Sequence, residues 1–131
     1  MNIKRKKQKI TMAMTEIAYS TSQDVYSGKI EKQKALDYIE QKCGMARKSA
    51  DYYIYQVKRM MDGIGYTGNN SEPATEYFLE DIFSNYPKDK QRNALSALSK
   101  HIEYQEKRNK LVPGLMKIVK RFYDRLNNSG N

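Results

Sequence analysis

Apolar residues recur along this chain at three- and four-residue steps and almost never in strict alternation, a pattern that predicts helices and no sheet. From Ile10 the positions Ile10, Ala13, Met14, Ile17, Ala18 and Val25 trace one amphipathic face that ends near Ser27-Gly28. A second face, Ala35, Leu36, Ile39 and Cys43, runs up to Gly44, a residue suited to the left-handed conformation that closes helices. Cys43 then reads as a small buried hydrophobe. From Ala46 a third helix buries Ala50, Tyr53, Ile54, Val57 and Met61, which fall within about 60° of one another at a step of about 100° per residue. Its opposite face carries Lys48, Tyr52, Tyr55, Gln56 and Arg59.

Gly63 to Pro73, GIGYTGNNSEP, concentrates turn-forming residues and predicts a long loop or exposed excursion between two helical halves. Ser71 as cap and Pro73 in the first turn then open a helix over Phe78, Leu79, Ile82, Phe83 and Tyr86, ended by Pro87. Ala94, Leu95, Leu98, His101, Ile102 and Gln105 mark a fifth helix. Leu115, Ile118, Val119, Phe122 and Leu126 mark a sixth that begins around Pro113, with fraying from Asn127. The expected fold is all-α, a compact bundle of about six helices containing a helix-turn-helix-like pair. Residues 1–9 form a flexible basic arm, and 10–127 form a single helical domain made of a helix-turn-helix half (10–63), a loop (64–73) and supporting helices (74–127).

Charge adds a partner class to this picture. The 131 residues hold 24 Lys and Arg against 15 Asp and Glu, a formal charge of +9, which favours an anionic partner, with nucleic acid first and acidic protein or membrane surfaces behind it. Up to Gly63 there are 13 basic and 7 acidic residues, and beyond it 11 and 8, so the excess lies in the first half. Five of its positive charges are Lys4, Arg5, Lys6, Lys7 and Lys9 in the segment MNIKRKKQK, which is too poor in apolar residues to fold alone.

Candidate catalytic chemistry is sparse. One His and one Cys cannot form a His/Cys zinc set, and the phosphate-loop, dinucleotide and nucleophile-elbow patterns are absent, so neither a cofactor, a metal site nor catalytic residues are expected. His101 beside Glu103 and Glu106 more simply reads as a packed, hydrogen-bonded histidine, and Glu76, Glu80 and Asp81 as a solvated face near a helix start. The lone cysteine fits a reducing, cytoplasmic setting. No signal peptide or apolar run of roughly 18 residues is present, so no membrane role and no small-molecule substrate is expected.

The break at Cys43-Gly44-Met45 has the spacing of a helix-turn-helix, in which a short turn sets the second helix for the major groove. An ordinary helical hairpin with a solvated basic face gives the same pattern. Under the first reading Arg47, Lys48 and Ser49 lie at the start of the second helix, where backbone N–H groups also favour phosphate. Tyr52, Tyr55, Gln56 and Arg59 follow along it, with Gln56 suited to adenine edges, and Lys4, Arg5, Lys6 and Lys7 add backbone contacts. Tyr52, Tyr53 and Tyr55 also raise stacking on an unpaired base, although periodicity puts Tyr53 on the core side.

The stretches AYSTSQDVYSGKIEKQKALDYIEQKCGMARKSADYYIYQVKRMMDG, ATEYFLEDI and ALSALSKHIEYQEKR, over roughly Ile17 to Arg108, resemble the amino-terminal helical domain that precedes the nuclease in a group of bacterial HNH restriction endonucleases. That resemblance implies double-stranded DNA binding, with Arg47, Lys48, Ser49, Tyr52 and Arg59 on the DNA-facing helix. The His, Asn and Cys residues of an HNH module do not follow, so the expectation is a non-catalytic DNA-binding module of a restriction or phage-defence system, either an excised domain or a free-standing relative. The competing expectation is a helical interaction module or homodimer that uses EYFLEDIF and LMKIVKRFYDRL as its apolar surface, with Phe122 in the contact.

Overall fold

A computed structural model describes residues 8–128. Among them lie six α-helices and no strand: α1 (Met12–Tyr26), α2 (Lys32–Cys43), α3 (Arg47–Asp62), α4 (Glu72–Asn85), α5 (Lys88–Lys107) and α6 (Pro113–Asn128). The protein is all-α, as the periodicity predicts. It divides into two compact units, residues 1–54 and 55–131, so that α3 contributes its first half to one and its second half to the other.

In the first unit α1 packs on α2. Helix α1 opens with a reciprocal cap: Thr11 Oγ1 accepts the Met14 N–H at 3.2 Å, and Met14 Sδ accepts the Thr11 N–H at 3.5 Å. Its buried face differs from the apolar set Ile10, Ala13, Met14, Ile17, Ala18 and Val25. Ala13 is exposed, Ile10, Ile17 and Val25 are half-buried, and Thr15, Tyr19, Thr21, Ser22 and Gln23 are buried with Met14 and Ala18. Local hydrogen bonds make polar burial tolerable here: Thr21 donates to the Ile17 carbonyl (2.8 Å), Ser22 to Ala18 (2.7 Å), and the Gln23 amide to the Tyr19 hydroxyl (2.9 Å).

In the second unit α4, α5 and α6 pack on one another. The predicted start of α4 is present, with Ser71 Oγ accepting the Ala74 N–H at 3.2 Å. Residues Ala94, Leu95, Leu98, His101, Ile102 and Gln105 of α5 are all buried, as are Leu115, Ile118, Phe122 and Leu126 of α6. Helix α6 continues through Asn128, past the fraying expected from Asn127.

The loop after α3 is folded onto α5 rather than projecting from it. Asn93 Nδ2 donates to the Met61 carbonyl (2.9 Å), Lys100 Nζ to Gly63 (3.0 Å), and Gln105 Nε2 to Asn69 Oδ1 (2.8 Å). The Tyr66 carbonyl accepts from His101 Nδ1 at 2.7 Å, and the two rings stack at 4.5 Å between centroids. Gly65 permits this approach, since a Cβ there would stand 2.8 Å from the Lys100 Cβ. His101 is therefore a packed histidine, 2% exposed, whose Nδ1 carries the proton because a carbonyl can only accept. Burial lowers its pKa from the ordinary 6.5, the bond to Tyr66 partly opposing.

Glu76 and Glu80 are not simply solvated. They pair with Arg121 and Arg125 of α6, Arg125 Nη1 donating to both Glu80 carboxylate oxygens at 2.9 Å, while Asp81 accepts from Asn85 within α4. A carboxylate stripe near a helix start satisfies the helix dipole and cross-helix pairing equally well, so sequence did not separate the two.

Candidate nucleic-acid interface

The α2–α3 connection is the three-residue turn Gly44–Ala46. Gly44 adopts φ +76°, and its N–H donates to the Glu40 carbonyl, closing α2 as the sequence predicts. Met45 is fully buried, which anchors the middle of the turn. Ala46 caps α3 through its carbonyl, which accepts the Ala50 N–H at 3.0 Å.

A residue that periodicity could not single out holds this turn from the other side. Gln8 Nε2 donates to the Gly44 carbonyl at 2.7 Å, and Gln8 Oε1 accepts the Ala46 N–H at 2.8 Å. One side-chain amide thus satisfies both a terminal carbonyl of α2 and a terminal N–H of α3. Gln8 therefore lies against the start of α3. Lys4, Arg5, Lys6 and Lys7 themselves lie outside the described residues.

Two further bridges join α2 to the first turns of α3. Arg47 donates from Nη1 to Asp37 Oδ1 at 2.6 Å and from Nη2 to Gln33 Oε1 at 2.8 Å, and Lys32 pairs with Asp51 at 2.8 Å. The hydrogen bond to Asp37 raises the Arg47 pKa above its usual value, against desolvation and with the neighbouring carboxylates adding. Arg47 is thus exposed but already neutralised. Lys48 is exposed and has no ion-pair partner among the described residues, whereas Ser49 is half-buried.

The tyrosines divide by environment. Tyr53 is buried with its hydroxyl bonded to Thr15 at 2.8 Å, and burial raises its pKa against the opposing effect of that bond. Tyr52 is half-buried and its hydroxyl is shielded from solvent, so its tip is not offered to a base. Cys43 is half-buried rather than buried, its Sγ donating to the Ile39 carbonyl at 3.2 Å.

In the second half of α3 the predicted face is corrected at Gln56. This residue is fully buried, its Oε1 accepting from Asn70 Nδ2 and its Nε2 lying 3.7 Å from Met60 Sδ, so it cannot read an adenine edge. Sequence spacing puts Gln56 at i+3 from Tyr53 and i−4 from Met60, on the margin of the apolar stripe. The partner that makes its burial affordable arrives only when the loop folds back. Arg59 is half-buried, donates to the Gly65 carbonyl at 3.0 Å and lies over the half-buried Tyr55 ring at 4.9 Å. These two side chains support the loop instead of standing free.

The structure also exposes residues that the motif did not single out. Lys34, Tyr38 and Lys42 stand at successive four-residue steps on the outer face of α2, with Tyr38 46% exposed. Their signal was the complement of the Ala35–Leu36–Ile39 stripe. Among the described residues no group of three or more His, Cys, Asp or Glu side chains is placed to hold a metal ion, and no helix is long and apolar enough to cross a membrane. Comparison with family models, curated proteins and solved structures finds no match.

Proposed function

We propose that the chain is a non-catalytic double-stranded DNA-binding module of a bacterial restriction or defence protein, acting without cofactor in the cytoplasm, with α2, the Gly44–Ala46 turn and the start of α3 as its contact surface. The observation that carries this reading is the Gln8 clamp, which holds Gln8 at the Gly44–Ala46 turn before α3, Gln8 lying in sequence within the basic run Lys4, Arg5, Lys6, Lys7 and Lys9. Basic side chains next to the positive end of a helix suit a phosphate backbone. We read Ile17 to Arg108 as akin to the helical domain of HNH restriction endonucleases, and that reading points the same way.

The contact set is narrower than the motif suggested. Lys4, Arg5, Lys6, Lys7 and Lys48 supply the phosphate contacts, and the exposed Lys34 and Lys42 on the outer face of α2 flank them. Arg47 positions α3 against α2 through Asp37 and Gln33, Ser49 and Tyr52 sit at the margin, and Tyr55, Gln56 and Arg59 serve the fold.

The test is a salt titration of binding to a labelled random-sequence duplex. Neutralising about five phosphates gives a slope near −4 to −5 in log K against log salt, and Lys48→Ala makes that slope shallower by about 1. Gln8→Ala keeps every charge, so it lowers affinity while the slope stays. A flat salt response, or no binding by the wild type, overturns the reading.

A further inference from the structure

Helix α6 carries two basic pairs in opposite situations. Arg121 and Arg125 meet Glu76 and Glu80 of α4, and Arg125 also lies over the Phe83 and Phe122 rings at 5.4 and 5.5 Å. Lys117 and Lys120 instead stand on one wall of a groove of about 460 Å³ between α5 and α6, whose other wall carries Glu103 and Glu106. Ile102 and Met116 line the groove between them. None of these four charged side chains has an ion-pair partner among the described residues.

Three large apolar side chains of α6 and the connection before it are exposed. Met116 is 47% exposed, Tyr123 lies two turns along the same helix at 36%, and Leu111 in the α5–α6 connection is 81% exposed. Phe122, by contrast, is 1% exposed and packs edge-on against Phe83 at 5.0 Å. The contact role expected for Phe122 is thereby corrected: it holds the second unit together, and the free apolar surface is the adjacent one.

We propose that the α5–α6 groove is the contact surface for a second copy of this chain, joined about a two-fold axis. Charge selects that occupant. A partner of one sign, such as a nucleic acid or an acidic peptide, would gain at one wall and be repelled at the other. A two-fold copy sets its Lys117 and Lys120 against Glu103 and Glu106, and the same contacts recur at the symmetry-related position. The spacing matches, since both pairs are i, i+3 on a helix and so rise by about 4.5 Å. Between the charged walls the Met116 side chains and their apolar neighbours meet and leave water. This inference stands independently of DNA binding.

Sedimentation equilibrium of the full chain without DNA tests it. The wild type is expected to show a concentration-dependent dimer. Met116→Glu, and separately Lys117→Glu/Lys120→Glu, should raise the dimer dissociation constant by about tenfold or more while helical circular dichroism is kept. Mixing the Lys117→Glu/Lys120→Glu chain with a Glu103→Lys/Glu106→Lys chain should restore the dimer, because each wall then again faces its opposite. A wild type that stays monomeric to about 1 mM overturns the proposal, as does a dimer undiminished by Met116→Glu or a charge-reversed pair that fails to recombine.

Discussion

At the scale of single residues, His101 gives the clearest dependence on solution conditions. Its Nδ1–H is committed to the Tyr66 carbonyl and its ring is stacked on Tyr66, so the folded state holds it neutral, with a pKa below 6.5. The unfolded chain therefore takes up a proton more readily than the folded one as pH falls below 6.5, and stability declines through that window until the folded-state pKa is passed. Thermal melts between about pH 7 and about pH 5 should show a falling Tm for the wild type, and His101→Gln should flatten this part of the profile. A wild type and variant with parallel profiles would assign the pH response to other groups. Gln56 tests burial in a different way. Gln56→Ala removes a side chain bonded to Asn70 and Met60 and should lower stability by about 2 kcal/mol, read from urea unfolding, while leaving duplex affinity of the folded protein unchanged. Loss of DNA affinity without loss of stability would return Gln56 to the contact surface.

At the scale of elements, caps and turns explain what the sequence disclosed. Gly44, Ser71, Pro73 and Pro87 sit where local backbone chemistry leaves few choices, so helix ends near them were legible from residue type alone. Gly44→Ala should cost about 1 kcal/mol, since an L side chain resists φ +76°, and it should loosen the turn that sets the start of α3. Equal stability of the two proteins would mean that the turn has a second accessible form. Long-range partners were not legible. The buried face of α1 was misplaced because Thr21 and Ser22 satisfy themselves on their own helix, and a hydroxyl that bonds i−4 carries no apolar signature. Gln8 escaped because its partners are 36 and 38 residues away. The pairing of α6 arginines with Glu76 and Glu80 spans 45 residues and was hidden for the same reason.

At the scale of the whole molecule, the formal charge of +9 is distributed unevenly along the sequence. Lys4, Arg5, Lys6 and Lys7 carry four charges with no acidic residue beside them. In residues 8–54, Lys9, Lys29, Lys32, Lys34, Lys42, Arg47 and Lys48 are nearly balanced by Glu16, Asp24, Glu31, Asp37, Glu40 and Asp51, and two of those basic residues are bound in the Lys32–Asp51 and Arg47–Asp37 pairs. If DNA is held as proposed, the segment before Gln8 must supply most of the salt dependence and the helices most of the orientation. Deleting residues 1–7 keeps the Gln8 clamp and should make the log K against log salt slope shallower by about 3 to 4, whereas Arg47→Ala should change it by less than 1 because that guanidinium is already paired. The two proteins should therefore diverge with ionic strength: at low salt the truncated chain binds far more weakly than Arg47→Ala, and as salt rises toward about 0.2 M its deficit against the wild type narrows. If the deletion leaves the slope untouched while Arg47→Ala collapses it, the charges that meet the phosphates are on α3 after all, and the ion pair with Asp37 must open when DNA binds.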